Sequence, residues 1–244
     1  MGIRASNIYD AKSKARFDLA FVTLIILLAV FATLSVLSLV AFSRLIPWMR
    51  AELKLFDVAS EANLWTWANV AVLVSAANVH LACAFCDRQS TGFRFYGWLA
   101  SSFLLLALSL DDLVGLHERL DHLGQALGGG HGFLHFAWVI PGVFLAVMAG
   151  LFFLMLIIQL KGSARVYLTS GVVMFFSGAL LMEAFTGWIL TLYGPSPQYV
   201  IAFHMEEMME AAGAALILCA GLPLISHTME VSPKSGFNPS HSDY

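Results

Sequence analysis

Six apolar runs, each long enough to cross a lipid bilayer, confine this chain to one class of fold. They cover about Phe17–Ile46, Asn63–Phe85, Phe95–Leu116, Phe133–Leu160, Val166–Leu192 and Tyr199–Leu224. A helix of roughly 20 residues spans the hydrocarbon core. Inside it every backbone N–H and C=O must be satisfied within the segment, so each run is predicted to be helical. The expected fold is an all-α membrane protein with six transmembrane helices. Residues 1–16 would be a cytoplasmic basic arm, 17–225 one transmembrane domain and 226–244 a polar, disordered cytoplasmic tail. The first run is too long for a signal-peptide core and lacks a clear small-residue cleavage site, so it is read as a span. Only 12% of residues are charged, about half the share in soluble domains.

Lysine and arginine set the orientation. With the N-terminus inside, Arg4, Lys12, Lys14, Arg16, Arg88, Arg94, Lys161, Arg165 and Lys234 fall on the inner side, and Arg44, Arg50, Lys54 and Arg119 on the outer. Both termini are therefore expected in the cytoplasm. The net charge of −3, without a basic block, excludes a nucleic-acid partner. Three cysteines, two of them in Cys83-Ala-Phe-Cys86, do not form a disulfide framework and read as small residues between helices.

Against this apolar background, acids and histidines concentrate in a few places. Ser109–His122 reads SLDDLVGLHERLDH, and His204–Glu210 reads HMEEMME. Glu183 stands alone within the fifth run. Such groups are costly to bury unless paired, protonated or metal-bound. On a continuous helix Asp111, Glu118 and His122 share one face, within roughly 40° of each other. Glu206 and Glu210 share a face at i, i+4, and His204 and Glu207 are neighbours at i, i+3. The orientation places these groups, with His117 and His135, toward the outer half, while His80 lies toward the inner side. Spans 3–6 are expected to form a four-helix unit around this outer polar cluster. Ala211–Ala215 is a small-residue patch suited to close helix contact, and Pro141 marks an expected kink.

Carboxylates and imidazoles on facing helices are the donors that a metal site in a bundle core uses. His204-Met-Glu-Glu207 has the i, i+3 spacing of a carboxylate-bundle motif in reverse order. The expected ligands are Asp111, His117, Glu118, His122, His135, His204 and Glu207, with Glu183 and Glu210 as general acid and base. Oxygen and nitrogen donors suit zinc, iron or manganese; there is no covalent-haem or nucleotide motif. The reading is a metal-dependent hydrolase or oxidoreductase in the cell membrane, acting from the outer face on a lipid-like substrate. A proton- or cation-coupled transporter using Asp111, Glu183 and Glu210 is the first alternative. A non-catalytic subunit with membrane-protein partners is the second.

Overall fold

The computed structural model describes residues 2–42, 54–58, 63–87 and 93–231. These residues form helices and no strand. They are α1 (Gly2–Phe42), a 3-10 turn (Lys54–Phe56), α2 (Leu64–Cys86), α3 (Phe93–Val114), a second 3-10 turn (Glu118–Leu120), α4 (Asp121–Ala126) and α5 (Val139–Ile157). Then come α6 (Gly162–Phe176), a π-helical turn (Ser177–Met182), α7 (Glu183–Tyr193) and α8 (Pro197–Val231). Six segments are long and apolar enough to span: Leu19–Val40, Leu64–Cys86, Phe93–Val114, Val139–Ile157, Gly162–Tyr193 and Pro197–Ser226. The fifth joins α6, the π turn and α7. Large apolar side chains such as Ile26, Val36, Phe144 and Leu181 face outward, a surface that only lipid or a partner helix can cover. The chain is an integral membrane protein.

The long helix α8 lies at the centre of the bundle, against α1, α2 and the α6–α7 segment. A Cβ at Gly213 would stand 2.5 Å from the backbone nitrogen of Phe175, and one at Gly171 would stand 2.8 Å from that of Ile217. The small-residue patch of α8 therefore does bring two backbones together. Helix α3 packs chiefly on α2, and α5 bridges α3 and α6. Span 2 is thus part of the bundle's middle, and these contacts do not outline a separate unit of spans 3–6.

Several boundaries differ from the expected ones. Helix α3 stops at Val114 because Gly115 takes φ 59°, a left-handed conformation suited to glycine. Residues 115–138 then fold across the end of the bundle, so span 4 starts at Val139 instead of Phe133. Pro141 lies in the first turn of α5, where a missing N–H breaks no helical bond and no kink is needed. At the C-terminus α8 continues to Val231, beyond residue 225. The rest of the expected tail, and Trp48, Arg50 and Glu52 of the first loop, lie outside the described residues.

Candidate functional site

Carboxyl groups of three spans lie within electrostatic reach of one another. Helix α8 carries Glu206, Glu207 and Glu210, one helical turn of acid. Glu206 is buried and its carboxyl neighbours that of Glu183. Glu207 has Asp112, Glu183 and His117 within electrostatic reach, and Glu210 has Glu207, Asp112, Glu183 and Asp111. Among the described residues, the neighbours named for these two acids are other acids, one histidine and the Trp65 indole. Indole donors answer part of the demand. Trp65 Nε1 of α2 donates to Glu207 Oε2 at 2.8 Å, and Trp138 Nε1 donates to Glu183 Oε1 at 3.2 Å. Part is left over: Thr186 neighbours Glu206, yet neither Thr186 Oγ1 nor Glu206 Oε2 has a hydrogen-bond partner of good geometry.

Backbone geometry makes room for this. The π turn Ser177–Met182 immediately precedes Glu183, and such wide turns are frequent at functional sites. Its Gly178 lies against the acid turn of α8. A Cβ there would be 2.7 Å from Glu210 Cγ and 3.0 Å from the Glu206 carbonyl oxygen. Only a residue without a side chain lets the two helices approach at this level.

The 115–138 segment caps the cluster. After the Gly115 turn the His117 backbone N–H donates to Asp111 Oδ1 at 2.7 Å, and His117 Nδ1 donates to Asp111 Oδ2 at 3.0 Å. Burial opposes charge on this imidazole, but the hydrogen bond and charge of Asp111, with Glu183 and Glu118 nearby, outweigh it and hold its pKa above the ordinary value. Its ring lies on Trp138, centroids 4.5 Å apart. Asp121 Oδ1 accepts the backbone N–H groups of Ala137 (2.7 Å) and Trp138 (3.2 Å), serving the free donors at the start of α5. Asp121 thereby fixes the indole that reaches Glu183.

Of the residues singled out in the sequence, Asp111, His117, Glu183, Glu207 and Glu210 each lie within electrostatic reach of at least one other member of this set. The face shared by Asp111, Glu118 and His122 does not form, because the helix breaks at Gly115 and leaves Glu118 and His122 exposed. His135 sits on α7, with Nδ1 3.1 Å from Thr191 Oγ1. His204 turns toward α1: Nδ1 donates to the Val200 carbonyl at 2.7 Å, and Nε2 is 3.1 Å from Ser38 Oγ. Sequence reasoning left out Glu206, Asp112 and the two indoles. Glu206 had a signal, its i, i+4 spacing to Glu210. Trp65 and Trp138 had none, since interfacial tryptophans are common in any membrane protein.

The cluster has a floor. Leu73 and Ala76 of α2, Leu105 of α3, and Ala211, Ala214 and Ile217 of α8 are fully buried. Below this layer His80 is held by Ser101 Oγ (2.6 Å) and the Ile217 carbonyl (3.0 Å), with its ring edge-on to Trp98. Cys83 and Cys219 are buried and free, each placed to donate to a backbone carbonyl.

A family model described as Domain of unknown function (DUF8692) matches residues 19–223. The chain belongs to this family. The match takes in all of the first five spans, most of the sixth and every residue of the acid cluster. No curated protein matches the chain, and no solved structure does.

Proposed function

We propose that the acid cluster is the working site of a membrane enzyme, a hydrolase or oxidoreductase acting on a lipid-like substrate, with a divalent metal ion as cofactor. The observation that carries this is the mutual electrostatic reach of Asp111, Glu183, Glu206, Glu207 and Glu210, acids of three different spans. Carboxylates gathered at low dielectric call for a cation or for protons. By donor type, Asp112, Glu183, Glu207 and Glu210, with His117 at the rim, suit manganese or iron, and zinc less well. By geometry the fit is incomplete. Among the described residues no three His, Cys, Asp or Glu are grouped as an ion requires. When bound, such an ion would supply Lewis acidity and an activated water. The residues would position it: Trp65 orients Glu207, Trp138 orients Glu183, and the apolar layer beneath would limit water from below. With both termini cytoplasmic, the site faces outward.

The floor favours one-sided chemistry over transport, since it interrupts the polar groups between the cluster and His80. The Glu183–Glu206 contact favours a second reading, a proton-bearing network that needs no metal. One experiment separates the two: the full chain purified in mild detergent, assayed by inductively coupled plasma mass spectrometry beside a Glu207→Gln, Glu210→Gln variant. About one or two equivalents of zinc, iron or manganese, lost in the variant, would support the metal centre. A folded but metal-free wild type, with an infrared band of a protonated carboxyl that weakens in Glu206→Gln, would replace it with the proton network.

A further inference from the structure

The opposite end of the bundle carries the complementary charge. A cavity of about 340 Å³ opens there, lined by Arg94 and Trp98 of α3, Gln159 and Lys161 of the α5–α6 turn, and Ala164 and Pro223. That volume is within the range of small-ligand sites. Arg94 heads α3 and is shared: its Nη2 pairs with Asp87 at 2.9 Å, and Asp87 also accepts Trp98 Nε1 at 3.0 Å. The Asp87–Trp98 link holds the guanidinium at the cavity wall while spending only part of its capacity. Arg94 Nε is buried and has no hydrogen-bond partner, a costly state for a charged donor. Lys161 is exposed and cannot accept a hydrogen bond. As the residue before α6 it leaves the first turn of that helix without a side-chain cap. Ala164, in that turn, lines the cavity. The Gln159 amide donates to the Met155 carbonyl at 2.6 Å and has a second hydrogen to offer.

We infer that this cavity binds the phosphate of an anionic ligand between Arg94 and Lys161. Two cations, one of them with a buried unmatched Nε, line one opening beside the uncapped first turn of α6, and together they call for a tetrahedral oxyanion. Leu160, Pro223 and Leu224 supply an apolar wall beside it, as a ligand with an acyl chain would need. This is the lysine- and arginine-rich end, and basic pockets between helices on the cytoplasmic side are suited to anionic lipid headgroups. A headgroup and a free phosphate compound share the chemistry, and the test distinguishes them.

The full chain in mild detergent is titrated with phosphatidylglycerol or with phosphatidylcholine of the same acyl chains, and bound lipid is read by native mass spectrometry. In parallel its melting temperature is followed against inorganic phosphate. Phosphatidylglycerol is expected to bind at least about fivefold more tightly than phosphatidylcholine, and to lose about that factor in Lys161→Gln. A phosphate-induced rise in melting temperature, abolished by Lys161→Gln, assigns the same site to a soluble phosphate compound. Arg94→Gln should weaken either ligand further. If that variant does not fold, Ala164→Trp, which fills the opening, takes its place. Equal binding of the two lipids with no response to phosphate overturns the inference, as does full binding by Lys161→Gln.

Discussion

Replacing Gly178 by alanine tests whether the π turn really lies against the acid turn of α8. The added Cβ would meet Glu210 Cγ at 2.7 Å, the Glu206 carbonyl oxygen at 3.0 Å and the Glu210 backbone nitrogen at 3.1 Å. The glutamate side chain can rotate away, but the backbone of α8 cannot do so without moving the helix. Overpacking of this kind costs about 1–3 kcal/mol, against about 1 kcal/mol gained by removing a helical glycine. The net expectation is a loss of roughly 1 kcal/mol. Gly150, in α5, is the control, because a Cβ there meets nothing within 4 Å. Gly150→Ala should therefore keep the propensity gain of roughly 1 kcal/mol. The two variants should differ by about 2 kcal/mol, which for a chain of this size is roughly 4–8 °C in melting temperature. Thermal unfolding in one detergent, followed by size-exclusion chromatography, reads this directly. Equal melting temperatures for both alanine variants would refute the close approach, and with it the placement of Glu183 beside Glu206.

Two further outcomes follow from single contacts. Trp65→Phe keeps an aromatic ring beside Phe31 but removes the 2.8 Å hydrogen bond to Glu207, so a destabilisation of about 1.5–3 kcal/mol is expected by thermal melting; an unchanged melting temperature would show that Glu207 is not held there. His117→Phe should cost most at low pH, because a histidine whose pKa is raised on folding contributes stability that is complete below its unfolded value of about 6.5 and lost as pH rises through the folded one. The gap between wild-type and variant melting temperatures should therefore be wider at about pH 5.5 than at pH 9; a gap independent of pH would remove the ionic part of the Asp111–His117 pair.

The spans were legible because lipid imposes a length and a composition on every helix that crosses it, and each of the six apolar runs contains a helix long and apolar enough to span. Which helices face each other was less so. The core of the bundle runs through α2, a helix whose Trp65 and Asn69 look like ordinary interfacial and polar residues until α8 is packed beside them. Of the residues singled out, several acids and His117 lie within electrostatic reach of one another, and the other histidines do not join them. An intramembrane carboxyl has few places to go, so Glu183, Glu207 and Glu210 had to converge. An imidazole can be satisfied by any carbonyl or hydroxyl, and His204 takes Val200 and Ser38 instead. The Asp111–Glu118–His122 face failed for a local reason. Helical periodicity was carried through Gly115, whose φ of 59° ends the helix.

Whether the cluster exists for stability or for function is decided at Glu206. It is buried, meets another acid, and leaves Oε2 without a partner. If the network held the bundle together, removing this carboxyl would break contacts that nothing replaces, with a loss of about 3 kcal/mol or more. If the acid is instead kept for work, its burial is a standing cost. An apolar side chain of similar volume should then be neutral or stabilising by about 1–4 kcal/mol, the usual relation between a strained site and the fold that carries it. Glu206→Met is accordingly expected to melt at or above the wild-type temperature. It should also weaken the protonated-carboxyl band that the proton-network reading assigns to the Glu183–Glu206 contact. A clear drop in melting temperature would make the acid cluster a structural network and remove the chief support for an enzyme.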